Sequence, residues 1–262
     1  MSTKAKVATG RLVRRNYGRG HGYKLDGEKL VGVTTAIDVL SKPALMNWYA
    51  EEAAKRAIDE WDELAELPIS KRLERIRYGA RDKVKAAALR GNEIHALGQQ
   101  VADSGSAEHV PDEHRGPVEA YARWLDKWQV ETLATETPLA HTKHKYGGTA
   151  DLWATVGKLG GALCLLDIKT GKGVYDETGL QLAAYRYSDL IHLGDGNEVA
   201  TPEVEHVFVA HVLPDDVRMV QVTADERVFR DFLYVLQVYR SRESWKEWPL
   251  VGSAVQPGEV EL

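Results

Sequence analysis

Two carboxylates and a lysine stand in two short apolar stretches: Asp151 in GGTADLW, and Asp167 with Lys169 in LCLLDIKTGK. Read as neighbouring strands, these stretches bring the three groups together, and Asp167 and Lys169, two residues apart, share one face of their strand. Ionisable side chains directly after Leu163, Cys164, Leu165 and Leu166 are costly to bury unless partners or metals compensate. By itself the pair equally describes a strand emerging into water. Its surroundings favour chemistry: Gly147, Gly148 and Thr149 precede Asp151, a Gly171-Lys172-Gly173 exit follows Lys169, and QLAAY places Gln181 and Tyr185 one turn apart on a helix. Carboxylates that hold a hard divalent cation, with an ammonium beside them to orient or help deprotonate a water, form a site for cutting phosphodiesters.

Upstream, a helical region from about Ala44 to Val130 is expected to break near Pro68 and between Asp103 and Pro111. Its middle part leads with a basic face and runs to His95, a candidate nitrogen ligand. Glu93 lies about two hundred degrees from His95 on a helix and should not share its site. Arg72, Arg75, Arg81 and Lys85 are the expected contacts to a phosphate backbone, with Lys172 beyond the second strand and a basic N-terminal arm. A solvated helix face is the plain alternative. His141 and His144 have the spacing of a metal pair but would face opposite sides of a strand, so a basic loop with Lys143 and Lys145 near the substrate is expected instead; Glu136 is expected as an exposed strand residue, with a supporting role at the site as the alternative.

GTAD, LLDIKTGK and QLAAY, in this order and at this spacing, resemble motifs II, III and IV of the PD-(D/E)xK nuclease superfamily in its RecB-like, phage-type exonuclease branch. RGNEIHALG resembles motif I of that branch, and the match covers roughly residues 88 to 190. More loosely, VGVTTAIDVLSKPALMNWYAEEAAKRA resembles the N-terminal stretch of phage-type members. Ala150 stands where the superfamily's name has proline, a position that varies in the family. The resemblance implies that Asp151 and Asp167, with His95 and the backbone carbonyl of Ile168, hold one or two Mg²⁺ or Mn²⁺ ions. It makes Lys169 the catalytic lysine and has Gln181 and Tyr185 position the substrate strand or Lys169. The implied activity is exonuclease hydrolysis of linear DNA in phage or bacterial recombination, repair or replication. A separate recombinase, single-strand-binding protein or helicase is a candidate partner, since the chain has no helicase motif. The iron–sulfur cluster of some members needs four cysteines, and Cys164 stands alone. Two other classes keep the same residues: a catalytically idle DNA-binding or scaffold module, and a metal-dependent small-molecule phosphohydrolase.

The elements that must position these residues follow from periodicity. Tyr23 to Val33 reads as a hairpin around Asp26-Gly27, with Thr34 or Thr35 capping a helix. Leu45, Trp48, Tyr49, Ala53 and Ala57 recur at helical spacing and are expected in the core. Strands are expected at Val130–Leu139, Tyr146–Val156, Leu163–Lys169, Val204–Val212 and Val217–Val222, with helices at Thr178–Leu193 and Asp225–Tyr239. The expected fold is α/β: a restriction-endonuclease-like αβββαβ core, as the resemblance implies, with a mixed central sheet flanked by helices and a helical N-terminal elaboration over about 36–130. The expected organisation is a flexible arm at 1–22, a single domain over 23–248 with its catalytic core at about 88–223, and a flexible tail at 249–262. A net charge of −5 offers no global attraction for nucleic acid, so contacts must be local. One cysteine excludes an internal disulfide framework, and the absence of a long apolar run or signal pattern points to the cytoplasm, the host's if phage-encoded.

Overall fold

The structure is a computed structural model that describes residues 11–17, 20–107, 109–193 and 196–254. Three strands open the chain, β1 (Leu12–Tyr17), β2 (Gly20–Leu25) and β3 (Glu28–Gly32), followed by helices α1 (Val33–Ile37), α2 (Pro43–Asp59), α3 (Trp61–Ala65), α4 (Ile69–Arg77), α5 (Arg81–Ser104) and α6 (Asp112–Trp128). Then come β4 (Val130–His141), β5 (Tyr146–Val156), β6 (Ala162–Lys169), α7 (Glu177–Arg186), β7 (Leu190–His192), β8 (Glu198–Val199), β9 (His206–Val212), β10 (Val217–Gln221) and α8 (Glu226–Glu247). The result is an α/β fold on a mixed sheet. β5 runs antiparallel to β4 and β6, β6 runs parallel to β9, and β9 runs antiparallel to β10.

Both faces of this sheet are covered, which is why its central strands are apolar nearly throughout. Leu152, Ala154, Cys164, Leu166 and Phe208 pack with Leu97, Tyr121 and Trp124 of α5 and α6. On the opposite face, Trp153, Leu165, Val207 and Val209 pack with Leu182 of α7 and Phe232 and Leu236 of α8. Alternate residues of β6 and β9 therefore serve different layers, and the site lies where this alternation meets the end of β6.

β5 has an uneven second edge. Along one edge it pairs with β4 from Tyr146 to Val156. Along the other it pairs with β3 at Tyr146 and Gly147, and with β6 only from Leu152 onward. Between those two ladders the strand forks, and Asp151 sits in the fork. Gly147 and Gly148 permit the close packing there: a Cβ on Gly147 would stand 2.9 Å from Tyr23 Cβ, and one on Gly148 would stand 2.4 Å from Tyr185 Cε1.

Several expectations need correction. The expected arm is structured over part of its length: Leu12–Tyr17 pairs with Gly20–Leu25, because Leu12 is buried with Tyr23, Leu25 and Leu30 beneath the surrounding charges. Residues 1–10 lie outside the described residues, as do 255–262 of the expected tail. Helix α1 starts at Val33, with Gly32 at its N-cap and no threonine cap. The helix expected to reach Leu193 ends at Arg186, because Leu190–His192 joins the edge of β4. Helix α8 runs eight residues past its expected end at Tyr239 and is capped by Asp225, whose carboxylate accepts a hydrogen bond from Val228 N–H at 3.0 Å. Helix α2 does not bury the apolar stripe expected of it: Leu45 and Tyr49 remain 42% and 37% exposed, and Trp48, Ala53 and Ala57 are only half-buried. Among the described residues, no helix is long and apolar enough to cross a membrane.

Candidate metal centre

Asp151 enters the site from the fork in β5. Its Oδ2 accepts a hydrogen bond from Ile168 N–H at 2.7 Å, a donor on β6 just past the last β5–β6 ladder pair. That bond ties the two strands where the ladder stops. One strand further, Glu136 of β4 lies opposite Asp151, between the paired positions Thr135↔Leu152 and Thr137↔Ala150. Its backbone is left-handed, at φ 44°, a conformation that costs a residue with a Cβ. From α5, His95 Nδ1 reaches to 3.7 Å from Asp151 Oδ2. Ligand atoms of His95, Glu136 and Asp151 all lie within 4.8 Å of one another.

Asp167 and Lys169 project from β6 beside this cluster. Asp167 is only 1% exposed. Its Oδ1 accepts a hydrogen bond from Gln181 Nε2 at 3.0 Å, and its Oδ2 lies 2.6 Å from Lys169 Nζ. The same Gln181 Nε2 donates to Tyr185 Oη at 3.2 Å, so α7 presents both residues toward the end of β6. Tyr185 packs under Gly148, and Tyr23 Oη shares a 2.8 Å hydrogen bond with Thr149 Oγ1.

The charges are poised for a cation. Burial, with the Asp167 charge adding to it, pushes the Asp151 carboxyl well above the ordinary carboxylate range, although Lys169 opposes this. Burial acts to lower the Lys169 ammonium, but the Asp167 and Asp151 carboxylates outweigh it and hold it above its ordinary value. Burial first, and then the Lys169 charge, lower His95, leaving a neutral imidazole near pH 7 with a lone pair to offer. The buried Oδ2 of Asp167 is held by the Lys169 ammonium at 2.6 Å. An imidazole and carboxylates gathered this closely are a donor set that can hold a divalent metal ion.

The chain matches no family model and no curated protein. Among solved structures, the crystal structure of SSO0001 is similar at 14% identity, with 83% of this chain and 98% of that chain covered and a TM-score of 0.29. That likeness carries no argument about the fold or the site.

The structure thus brings His95, Asp151, Asp167, Lys169, Gln181 and Tyr185 together, with the Ile168 backbone hydrogen-bonded to Asp151 and to His95. Asp167 stands outside the tight three-residue cluster, where Glu136 takes the place expected for it. Glu136 is half-buried and also meets Arg14 Nη1 at 3.3 Å. The sequence offers its role at the site only as the second reading, because only the cross-strand register reveals that it faces Asp151. Glu93 points elsewhere, as its spacing requires, and binds His114 at 2.8 Å.

The expected DNA contacts divide into two groups. Arg72 donates to the carbonyls of Ala65 and Leu67 at 2.8 and 3.3 Å, and Arg75 pairs with Glu60 and Glu63 at 2.6 and 2.8 Å. These two fasten α4 to the segment before it. Arg81, 5.3 Å over the Tyr78 ring, and Lys85 and Lys172 are exposed. His141 ends β4 and the chain turns over 142–145, a loop as expected there, which brings the His141 and His144 ring centroids to 4.5 Å.

Proposed function

We propose that the protein is a divalent-metal-dependent deoxyribonuclease of the PD-(D/E)xK type, acting as an exonuclease on linear DNA in phage or bacterial recombination, repair or replication. The observation that carries this reading is the convergence of His95, Glu136 and Asp151 beside a buried Asp167–Lys169 pair. The order of elements around it also supports the reading: helix α5 supplies the histidine, the β4–β5–β6 meander the carboxylates and lysine, α7 the glutamine and tyrosine, and β9 pairs parallel with β6. That order agrees with an αβββαβ core.

His95, Glu136, Asp151 and Asp167 would hold Mg²⁺ or Mn²⁺, which when bound supplies charge stabilisation to a phosphodiester and lowers the pKa of water. Lys169, fixed by Asp167, aims an ammonium at the attacking side, where it orients the water and offsets developing negative charge. Gln181 holds Asp167 from the opposite side and keeps that carboxylate from rotating away. Tyr185 remains a neutral phenol, because burial raises its pKa far above neutrality, and it holds Gln181 in place. DNA reaches this acidic centre through local basic side chains, Arg81, Lys85 and Lys172 among them.

A gel assay on end-labelled linear DNA, single- and double-stranded, with Mg²⁺, Mn²⁺ or chelator tests this reading. Metal-dependent shortening of linear DNA is expected. Metal-independent binding without cleavage would instead indicate an idle scaffold, and hydrolysis of small phosphate esters alone would indicate a phosphohydrolase.

A further inference from the structure

A cleft of about 670 Å³ opens beside the candidate metal centre, with Ile37, Leu45 and Trp48 on one wall and Tyr175, Thr178 and Gln181 on the other. Gln181 belongs to both places, since its amide nitrogen is 3.0 Å from Asp167. The Gln181 end of the cleft therefore adjoins the Asp167–Lys169 pair. The walls hold apolar and aromatic surface in water: Leu45 is 42% exposed and Tyr175 is 64% exposed. The α2 positions that fail to join the core are accounted for if they form a wall for something else.

We infer that this cleft receives unpaired nucleotides of the strand being cut, which makes DNA with a single-stranded segment at the scissile position the preferred substrate; this rests on the nuclease reading and deepens it. Aromatic side chains next to a phosphate-cutting centre are stacking platforms for bases, and such stacking tolerates any sequence. The charges of the lining balance, with Asp38 and Glu177 against Lys42 and Lys172, and Lys42 is already paired with Asp38 at 2.8 Å. A neutral lining is poor ground for a duplex backbone with its regular phosphates, but it suits the uncharged faces of bases. Exposed Lys172 at the rim can meet a phosphate that passes toward Asp167. The volume falls in the range of small-molecule sites, room for a nucleotide or two and too small for a duplex.

Fluorescence anisotropy with a labelled oligothymidylate and a labelled blunt hairpin duplex, in Ca²⁺ to limit cleavage, tests the assignment. The single strand should bind more tightly. Trp48→Ala with Tyr175→Ala should weaken it by about tenfold to a hundredfold while changing duplex binding little, and Trp48→Phe should restore most of the loss. Circular dichroism confirms that the variants fold. Equal losses on both DNAs, or none on the single strand, would overturn the inference. Hydrolysis of bis(p-nitrophenyl) phosphate with Mn²⁺, a diester with no base to stack, should be unchanged in the double variant. Should the wild-type chain hydrolyse no phosphodiester at all, the nuclease reading fails, while the anisotropy still decides whether the cleft holds single strands.

Discussion

Lys169 and Asp167 form the most buried charge pair at the site, 2.6 Å apart, with the carboxylate 1% exposed. In the proposed mechanism the lysine acts on charge that develops during reaction, so Lys169→Ala should lower kcat on DNA by about a hundredfold or more while changing DNA affinity only a few-fold. Steady-state and binding measurements on the same preparation check this, and retention of full turnover would remove the role. In the proposed mechanism His95 and Glu136 hold the ion instead. His95→Ala and Glu136→Gln should each weaken Mn²⁺ affinity in calorimetry and show activity that excess Mn²⁺ partly restores; unchanged metal affinity would return both to structural roles. Most of this site was legible in the sequence because local periodicity carries it: alternation puts Asp167 and Lys169 on one face, and a helical turn pairs Gln181 with Tyr185. For Glu136 the sequence favours an exposed strand residue and offers a site role only second. Its place depends on a β-bulge at Thr132/Ala134 and on a left-handed backbone, neither of which local pattern announces.

At the scale of elements, β5 and α7 approach so closely that only glycine fits at 148. Gly148→Ala would drive a methyl into the Tyr185 ring, destabilising the fold by about 1–3 kcal/mol and lowering activity by displacing Tyr185 and Gln181. Denaturant melts and cleavage rates should fall together, and a variant with unchanged stability would contradict the packing. Helix α4 makes a different case. Arg75 is 41% exposed and already bound to Glu60 and Glu63, so Arg75→Gln should cost about 1 kcal/mol or less and leave the salt dependence of DNA binding unchanged. Lys85→Gln should instead flatten that dependence by about one unit of slope if it touches a phosphate. A reversed pattern would place DNA along α4. The strands of the central sheet could be read because apolar runs bounded by glycines mark doubly covered strands. β1 was masked by its arginines, and the end of α7 by a strand too short to show a period. The exposure of α2 depends on which partner its apolar stripe meets, and a pattern of spacing carries no such information.

For the whole molecule, acid sensitivity follows from imidazoles held neutral. His141 stacks on Phe229 and meets His144, and burial is the first cause holding both below their ordinary value of 6.5, despite the opposing charge of Asp189. The unfolded chain therefore takes up protons first as pH falls below 6.5. Stability is full above that value and declines toward the lower folded-state pKa values. Thermal midpoints should drop on acidification from about pH 7.5 to 5.5, and His141→Gln with His144→Gln should reduce the slope; an identical slope in the variant would rule these residues out. A net charge of −5 also means that DNA is not drawn in from a distance, so binding should depend on bound metal and on a few local cations. The most direct test of the proposed chemistry is metal add-back to chelator-treated protein on end-labelled linear DNA, with single-turnover cleavage followed in the wild-type chain and in Lys169→Ala. The expected result is no cleavage without metal, recovery in the wild type as Mg²⁺ or Mn²⁺ is restored, and a rate at least about a hundredfold lower in the variant at saturating metal. Cleavage that survives chelation, or equal rates in the two proteins, would contradict a metal-and-lysine nuclease centred on His95, Glu136, Asp151, Asp167 and Lys169.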